Sequence, residues 1–228
     1  MPSCEMKIIA HMKSDFTTKF GVPRQSGLVN TTLSAVVFEP EYRNPDALRG
    51  LEGFSHLWLI WQFSECVRDG WSPTVRPPRL GGNTRVGVFA TRSPFRPNAI
   101  GLSSVEIDRV ENDPELGPVI WVRGADLMNG TPILDVKPYV PYADSHPDAR
   151  GGFAMGPEGG RVEVDCPQEL LMLLPEEKRQ ALLDVLAQDP RPGYQHEDSR
   201  VYGVAFAGFD VRFTVAQNRL RVQEIVRL

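Results

Sequence analysis

Short runs of β-branched and aromatic residues recur between turn residues through the first two-thirds of the chain, where helical spacing is almost absent. Thr31–Phe38 is β-branched and apolar and lies between Gly27 and Pro40, which predicts a strand. Leu57–Phe63 (LWLIWQF) is a continuous apolar run, short enough for a buried strand. Thr84–Thr91, Leu102–Val110 and Val119–Arg123 continue the pattern, and Ile133–Val140 alternates partly, with Pro138 interrupting it. Pro45–Leu51 is the exception: Asn44 followed by Pro predicts a capped helical turn. Many short strands punctuated by Gly and Pro favour a barrel or sandwich over a parallel α/β sheet.

The pattern changes after Tyr142. Residues 144–160 are rich in Gly and small polar residues, which is loop or linker composition. Pro175–Gln188 then carries Leu182, Val185 and Leu186 at helical spacing, with Glu176 and Glu177 in the first turn. Val201–Phe206, Val211–Val215 and Leu220–Val226 read as three strands, the last two joined by a tight turn near Gln217-Asn218. The expected organisation is a mainly β domain over 1–143, a flexible loop or linker over 144–160, and a small α+β domain over 161–228.

Composition adds a local asymmetry. At 228 residues, 41% hydrophobic and 24% charged, the chain has the make-up of an ordinary soluble protein. Its net charge of −4 argues against indiscriminate coating of nucleic acid. Yet between Asp69 and Glu106 there is no acidic residue, while Arg76, Arg79, Arg85, Arg92 and Arg96 all fall there among prolines and glycines. Guanidinium groups on a stiff, turn-rich backbone suit planar or phosphate-bearing ligands. A solvated basic loop explains the same stretch without function, since lysines are scarce throughout (Lys7, Lys13, Lys19, Lys137 and Lys178).

Several chemistries find no support. Cys4, Cys66 and Cys166 lack C-x-x-C spacing, and the four histidines form no H-x-x-x-H, so no metal site is expected. G-x-G-x-x-G after a strand, G-x-S-x-G and the P-loop pattern are all missing. The first ten residues lack a signal-peptide apolar core, and no run approaches the ~20 apolar residues of a membrane span. A cytoplasmic protein without membrane contact is expected. His56 stands at the start of the Leu57 strand, where a hydrogen-bonded structural histidine is the commoner use. Asp126, Asn129, Gly130 and Thr131 form a polar turn between two strands, which Asx-type turn chemistry also explains. The segment Asp189-Pro190-Arg191-Pro192-Gly193-Tyr194 presents an Arg and a Tyr able to stack on a base or ring.

Taken together the segments resemble one family. Val22-Pro23-Arg24-Gln25, the stretch from Leu48 to Trp58, Arg76-Pro77-Pro78-Arg79-Leu80-Gly81-Gly82, the block from Gly87 to Asn98, Asp126–Asp135 and Asp189–Pro192 follow in the order of the TrmO (TsaA-like, YaeB) tRNA methyltransferases, over almost the whole chain. The resemblance implies an S-adenosylmethionine-dependent enzyme with an N-terminal β-barrel methyltransferase domain, acting as a homodimer. Its implied acceptor is the exocyclic nitrogen of threonylcarbamoyladenosine in the tRNA anticodon loop, next to the anticodon. It places the methyl donor against Pro23, Arg24, Gln25, Ser64, Glu65, Arg92, Leu102, Asp126, Asn129, Gly130 and Thr131. For that chemistry Asp126 and His56 are the candidate proton acceptors. Arg76, Arg79 and Arg96 would track phosphates, with Arg191 and Tyr194 gripping the loop. A methyltransferase with another acceptor and a non-enzymatic RNA-binding module remain the alternatives.

Overall fold

The computed structural model describes residues 5–67, 70–156, 160–191 and 197–228. In chain order its strands and helices begin with β1 (Ala10–Lys13), β2 (Leu33–Phe38), β3 (His56–Gln62), β4 (Thr74–Val75), β5 (Val86–Gly87), β6 (Ile100–Asp113), β7 (Gly117–Arg123) and β8 (Pro132–Pro138). They continue with α1 (Pro141–Asp144), β9 (Glu163–Asp165), α2 (Gln168–Leu171), α3 (Glu176–Ala187), β10 (Tyr202–Phe206), β11 (Phe209–Ala216) and β12 (Arg219–Arg227). The fold is mainly β, as expected.

Six antiparallel strands close into a barrel in the order β1-β2-β7-β6-β3-β8, with β8 returning to β1 through Ala10↔Ile133 and His11↔Pro132. Alternation fills it: Leu57, Leu59 and Trp61 of β3 point inward with Val105 of β6 and Ile120 and Val122 of β7. Each such aliphatic side chain removed from water contributes about 1.5–3 kcal/mol. Closure also leaves no exposed edge. The second unit is a four-stranded sheet, β10-β11-β12-β9, packed on α3 through Leu182, Val185 and Leu186. Gln217 and Asn218 both take positive φ (49° and 62°) in the β11–β12 turn, the conformation that matches strand twist.

One segment belongs to both units. After leaving β1, the chain buries Phe16 and Val29 in the second core, with Phe16 paired to Phe206 edge-on at 5.6 Å. Lys178 reinforces this by an ion pair to Asp15 (2.6 Å), and Thr31 donates to Asp184 (2.8 Å). The Pro23–Gln25 turn is therefore suspended between two fixed points.

Two expectations need correction, and two strands were not expected. The strand over Thr84–Thr91 shrinks to Val86–Gly87, and Val88–Ala90 is a 3-10 turn. Its partner β4 offers only two residues, and Val88 N–H bonds instead to Pro73 O (2.9 Å). The turn expected over Pro45–Leu51 ends at Leu48, and a second 3-10 turn, Leu51–Gly53, follows Gly50 (φ +90°), while Asn44 does cap the first by accepting from Asp46 N–H. The strands β1 and β9, of four and three residues, lack the length to announce themselves in sequence. No helix among the described residues is long and apolar enough to cross a membrane.

Candidate functional site

At one end of the barrel the Pro23–Gln25 turn, the ends of β3 and β6, the Phe89–Asn98 loop and Asp126 enclose a cavity of about 730 Å³. That volume is within the range of small-molecule sites. Each wall has a local cause. Ala125-Asp126 follows β7 through Gly124, whose φ is +70° and where a Cβ would lie 3.3 Å from Gly27 backbone. This close approach lets Gly27 N–H reach Gly124 O (2.9 Å), which docks the 23–27 loop beside Asp126. Gln25 then accepts a hydrogen bond from Arg92, tying the third wall to the first.

The floor is a hydrogen-bonded series. Trp61 Nε1–H donates to Ser103 Oγ (3.0 Å), and the Ser103 hydroxyl donates to Asp126 Oδ1 (2.6 Å). An indole can only donate, so it leaves the serine proton free to serve the carboxylate. Trp61 reaches this position by the unbroken alternation of β3, which puts it on the same inward face as Leu57 and Leu59. It also needs Gly101 opposite, where a Cβ would meet the indole at 2.2–2.6 Å.

Burial pushes the Asp126 carboxyl above its ordinary range, opposed in part by the Ser103 hydroxyl, the backbone N–H groups of Asp126 and Ser26, and the Arg92 charge. Ser103→Ala is expected to drive it higher still, read by carboxyl-carbon NMR titration. The same change leaves a buried indole N–H without its acceptor, costing about 1–3 kcal/mol of stability.

The arginines of the acid-free stretch differ from many others in the chain. Among the described residues eight arginines elsewhere meet carboxylates, as in Arg123–Asp108, Arg161–Asp184 and Arg219–Glu163, while Arg43 and Arg179 bond backbone carbonyls. None of Arg76, Arg79, Arg85, Arg92 and Arg96 is in an ion pair among the described residues. Arg79, Arg85, Arg92 and Arg96 donate instead to neutral oxygens of Gly156, Thr74, Gln25 and Thr91.

Of the residues singled out in sequence, Pro23, Arg24, Gln25, Arg92, Arg96, Leu102 and Asp126 line this cavity. Others lie elsewhere. Ser64 and Glu65 sit in a 3-10 turn beyond β3, where Glu65 O accepts from Lys19. Asn129, Gly130 and Thr131 brace the barrel: Asn129 N–H bonds Phe16 O, Gly130 N–H bonds Met12 O, and Thr131 bonds Met128 O. His56 is at the opposite end of β3 from Trp61, about 17 Å away at 3.3 Å per residue. There it contacts Ser55 and Tyr139. Arg191 is held by Asp189 in a two-point pair (2.8 and 2.9 Å), and its carbonyl accepts from Arg24. Tyr194 is outside the described residues. Trp61, Gly101 and Ser103 were missed; a serine at an inward-facing position of an apolar strand is the signal that marks them.

Comparison with known proteins identifies the family. Residues 11–145 match the family described as tRNA-methyltransferase O N-terminal domain, and residues 161–228 match the TrmO C-terminal domain. The chain is 44% identical over 223 residues to a tRNA (adenine(37)-N6)-methyltransferase of Escherichia coli K12, covering 94% of each chain. It is 41% identical over 213 residues to a putative S-adenosylmethionine-dependent methyltransferase of Pseudomonas aeruginosa, covering 90% of each. The crystal structure of TrmO from Pseudomonas aeruginosa superposes with a TM-score of 0.81 at 32% identity, over 99% of both chains. Both units and their connection are thus shared with these proteins, and the chain belongs to the TrmO family.

Proposed function

We propose that this chain is an S-adenosylmethionine-dependent tRNA methyltransferase acting on the exocyclic nitrogen of threonylcarbamoyladenosine next to the anticodon. One observation carries the reading. A cavity holding a single carboxylate, Asp126, beside Arg24 and Arg92 adjoins a run of arginines without carboxylate partners. The donor joins a sulfonium cation, an amino-acid carboxylate and an adenine, and the residues present fit all three. Asp126 offers the negative charge, Arg92 and Arg24 suit the carboxylate, and Phe63, Phe89 and Leu102 supply apolar wall.

When bound, the donor supplies an electrophilic methyl group. The acceptor nitrogen belongs to a urea-like group and is a poor nucleophile, so the chain has three tasks. The cavity walls orient the partners, an effect that can supply about 7–11 kcal/mol. Trp61 and Phe63, in contact at 4.2 Å, keep water from the floor. Asp126 accepts the proton that the nitrogen gives up. Its raised pKa makes it a stronger base than an ordinary carboxylate, and Ser103 keeps it aimed. His56, at the far end of its strand, has no part in this mechanism. The homodimer implied by the resemblance belongs to the same proposal and is read by sedimentation.

Calorimetric titration of S-adenosylmethionine tests the donor assignment. Wild type is expected to bind it, and Arg92→Ala to bind about 10- to 100-fold more weakly, the loss of a charge-assisted pair. Equal affinity in the two proteins would remove Arg92 from the donor site.

A further inference from the structure

A second cavity, of about 660 Å³, lies beside the first and shares Arg96, Pro97, Asn98 and Ile100 with it as a common wall. At the junction two aromatic rings stack at 6.0 Å and 30°, with Trp71 lining the second cavity and Phe89 the first. Both are exposed, Trp71 to 54% and Phe89 to 70%, so hydrophobic burial does not explain them. Their placement is built. The β4–β5 ribbon pairs Thr74 with Gly87, and the Val88 N–H to Pro73 O bond together with buried Val88 fixes both flanks. The same ribbon carries Arg85, whose guanidinium among the described residues meets Thr74 and no carboxylate, and leads into exposed Arg76.

We propose that the Trp71–Phe89 pair is a stacking platform for an unpaired base of the RNA acceptor, with Arg76 and Arg85 taking the flanking phosphates. This rests on the RNA-methyltransferase reading and adds a subsite to it. Recognition of single-stranded loops depends on splayed bases stacked on aromatic faces next to cationic side chains. A ring pair beside uncompensated guanidinium groups and continuous with the donor cavity meets each requirement. A second copy of this chain is the less suitable occupant. A two-fold contact through this face would set the same unpaired arginines against each other.

The test uses the full chain, an unmodified anticodon stem-loop RNA as probe, and Trp71→Phe, Trp71→Leu and Trp71→Ala. Removing a stacked base contact should weaken RNA binding about 5- to 100-fold in the Leu and Ala variants. Phe keeps a π face and should stay within about threefold of wild type. Donor affinity should be unchanged in all three, and the salt dependence of RNA binding should match wild type. Arg76→Ala should flatten that dependence by about 0.7 log unit per log unit of salt. Leu binding as well as Trp, or Ala binding unchanged, would overturn the stacking platform. So would a Trp71→Ala protein whose oligomeric state falls in sedimentation, which would make the patch a subunit contact. A wild-type protein that binds the donor but no RNA would instead remove the function on which the inference rests.

Discussion

Asp126→Asn is expected to lower kcat for methyl transfer by about 10²- to 10⁴-fold, the range of a positioned general base. The asparagine is close in shape and can still accept the Ser103 hydroxyl hydrogen bond, so the floor of the cavity stays in place. The pH profile gives the sign. Burial raises the Asp126 pKa, so the group is protonated and inactive at acid pH. Activity rises as pH climbs through that raised value, above the ordinary carboxylate range. Ser103→Ala removes a contact that lowers the pKa, and its acidic limb should move to higher pH. Asp126→Asn should lose the limb altogether. An Asp126→Asn enzyme within about threefold of wild-type kcat would place the proton acceptor elsewhere.

Stability follows the same group in the opposite direction to activity. A carboxyl with a folded pKa above its unfolded value holds its proton more tightly in the native state. Its contribution is therefore present at low pH and lost as pH rises through the window between the two values.

Gly101→Ala is expected to destabilise the barrel by about 1–3 kcal/mol, the cost of forcing one carbon into a filled site. The new Cβ would stand 2.2 Å from the Trp61 indole, and neither neighbour yields easily. Trp61 is packed on Phe63 at 4.2 Å and tied to Ser103, while the Gly101 backbone is held in the β3–β6 ladder opposite Trp61. For a chain of this size the midpoint of thermal unfolding should fall by about 2–10 °C. Near-ultraviolet circular dichroism should show the displaced tryptophan in the folded protein. An unchanged midpoint and spectrum would mean that Trp61 is not confined as described.

The barrel was legible because closure demands what alternation shows. Leu57, Leu59 and Trp61 fall on one face of β3, and Val105 with Ser103 on one face of β6. The C-terminal helix and hairpin were legible for the same reason, through Leu182, Val185 and Leu186 and the Gln217-Asn218 turn. What escaped was long-range. Phe16 and Val29 pack with Leu182 and Phe213 in a core whose other residues come from far along the chain. No local period announces that contact. The site divided likewise. Arg92 and Asp126 stood out as polar residues in turns. Ser103 and Gly101 read as ordinary strand residues until the register set them against Trp61. Asn129, Gly130 and Thr131 shared a turn with Asp126, yet their hydrogen bonds go to the barrel and not to the cavity.

The most direct measurement is transfer of labelled methyl from S-adenosylmethionine to two tRNA preparations, one carrying threonylcarbamoyladenosine and one lacking it. The account predicts label in the modified preparation alone, recovered in that nucleoside after digestion. Equal labelling of both, or of neither while the donor still binds, would contradict it.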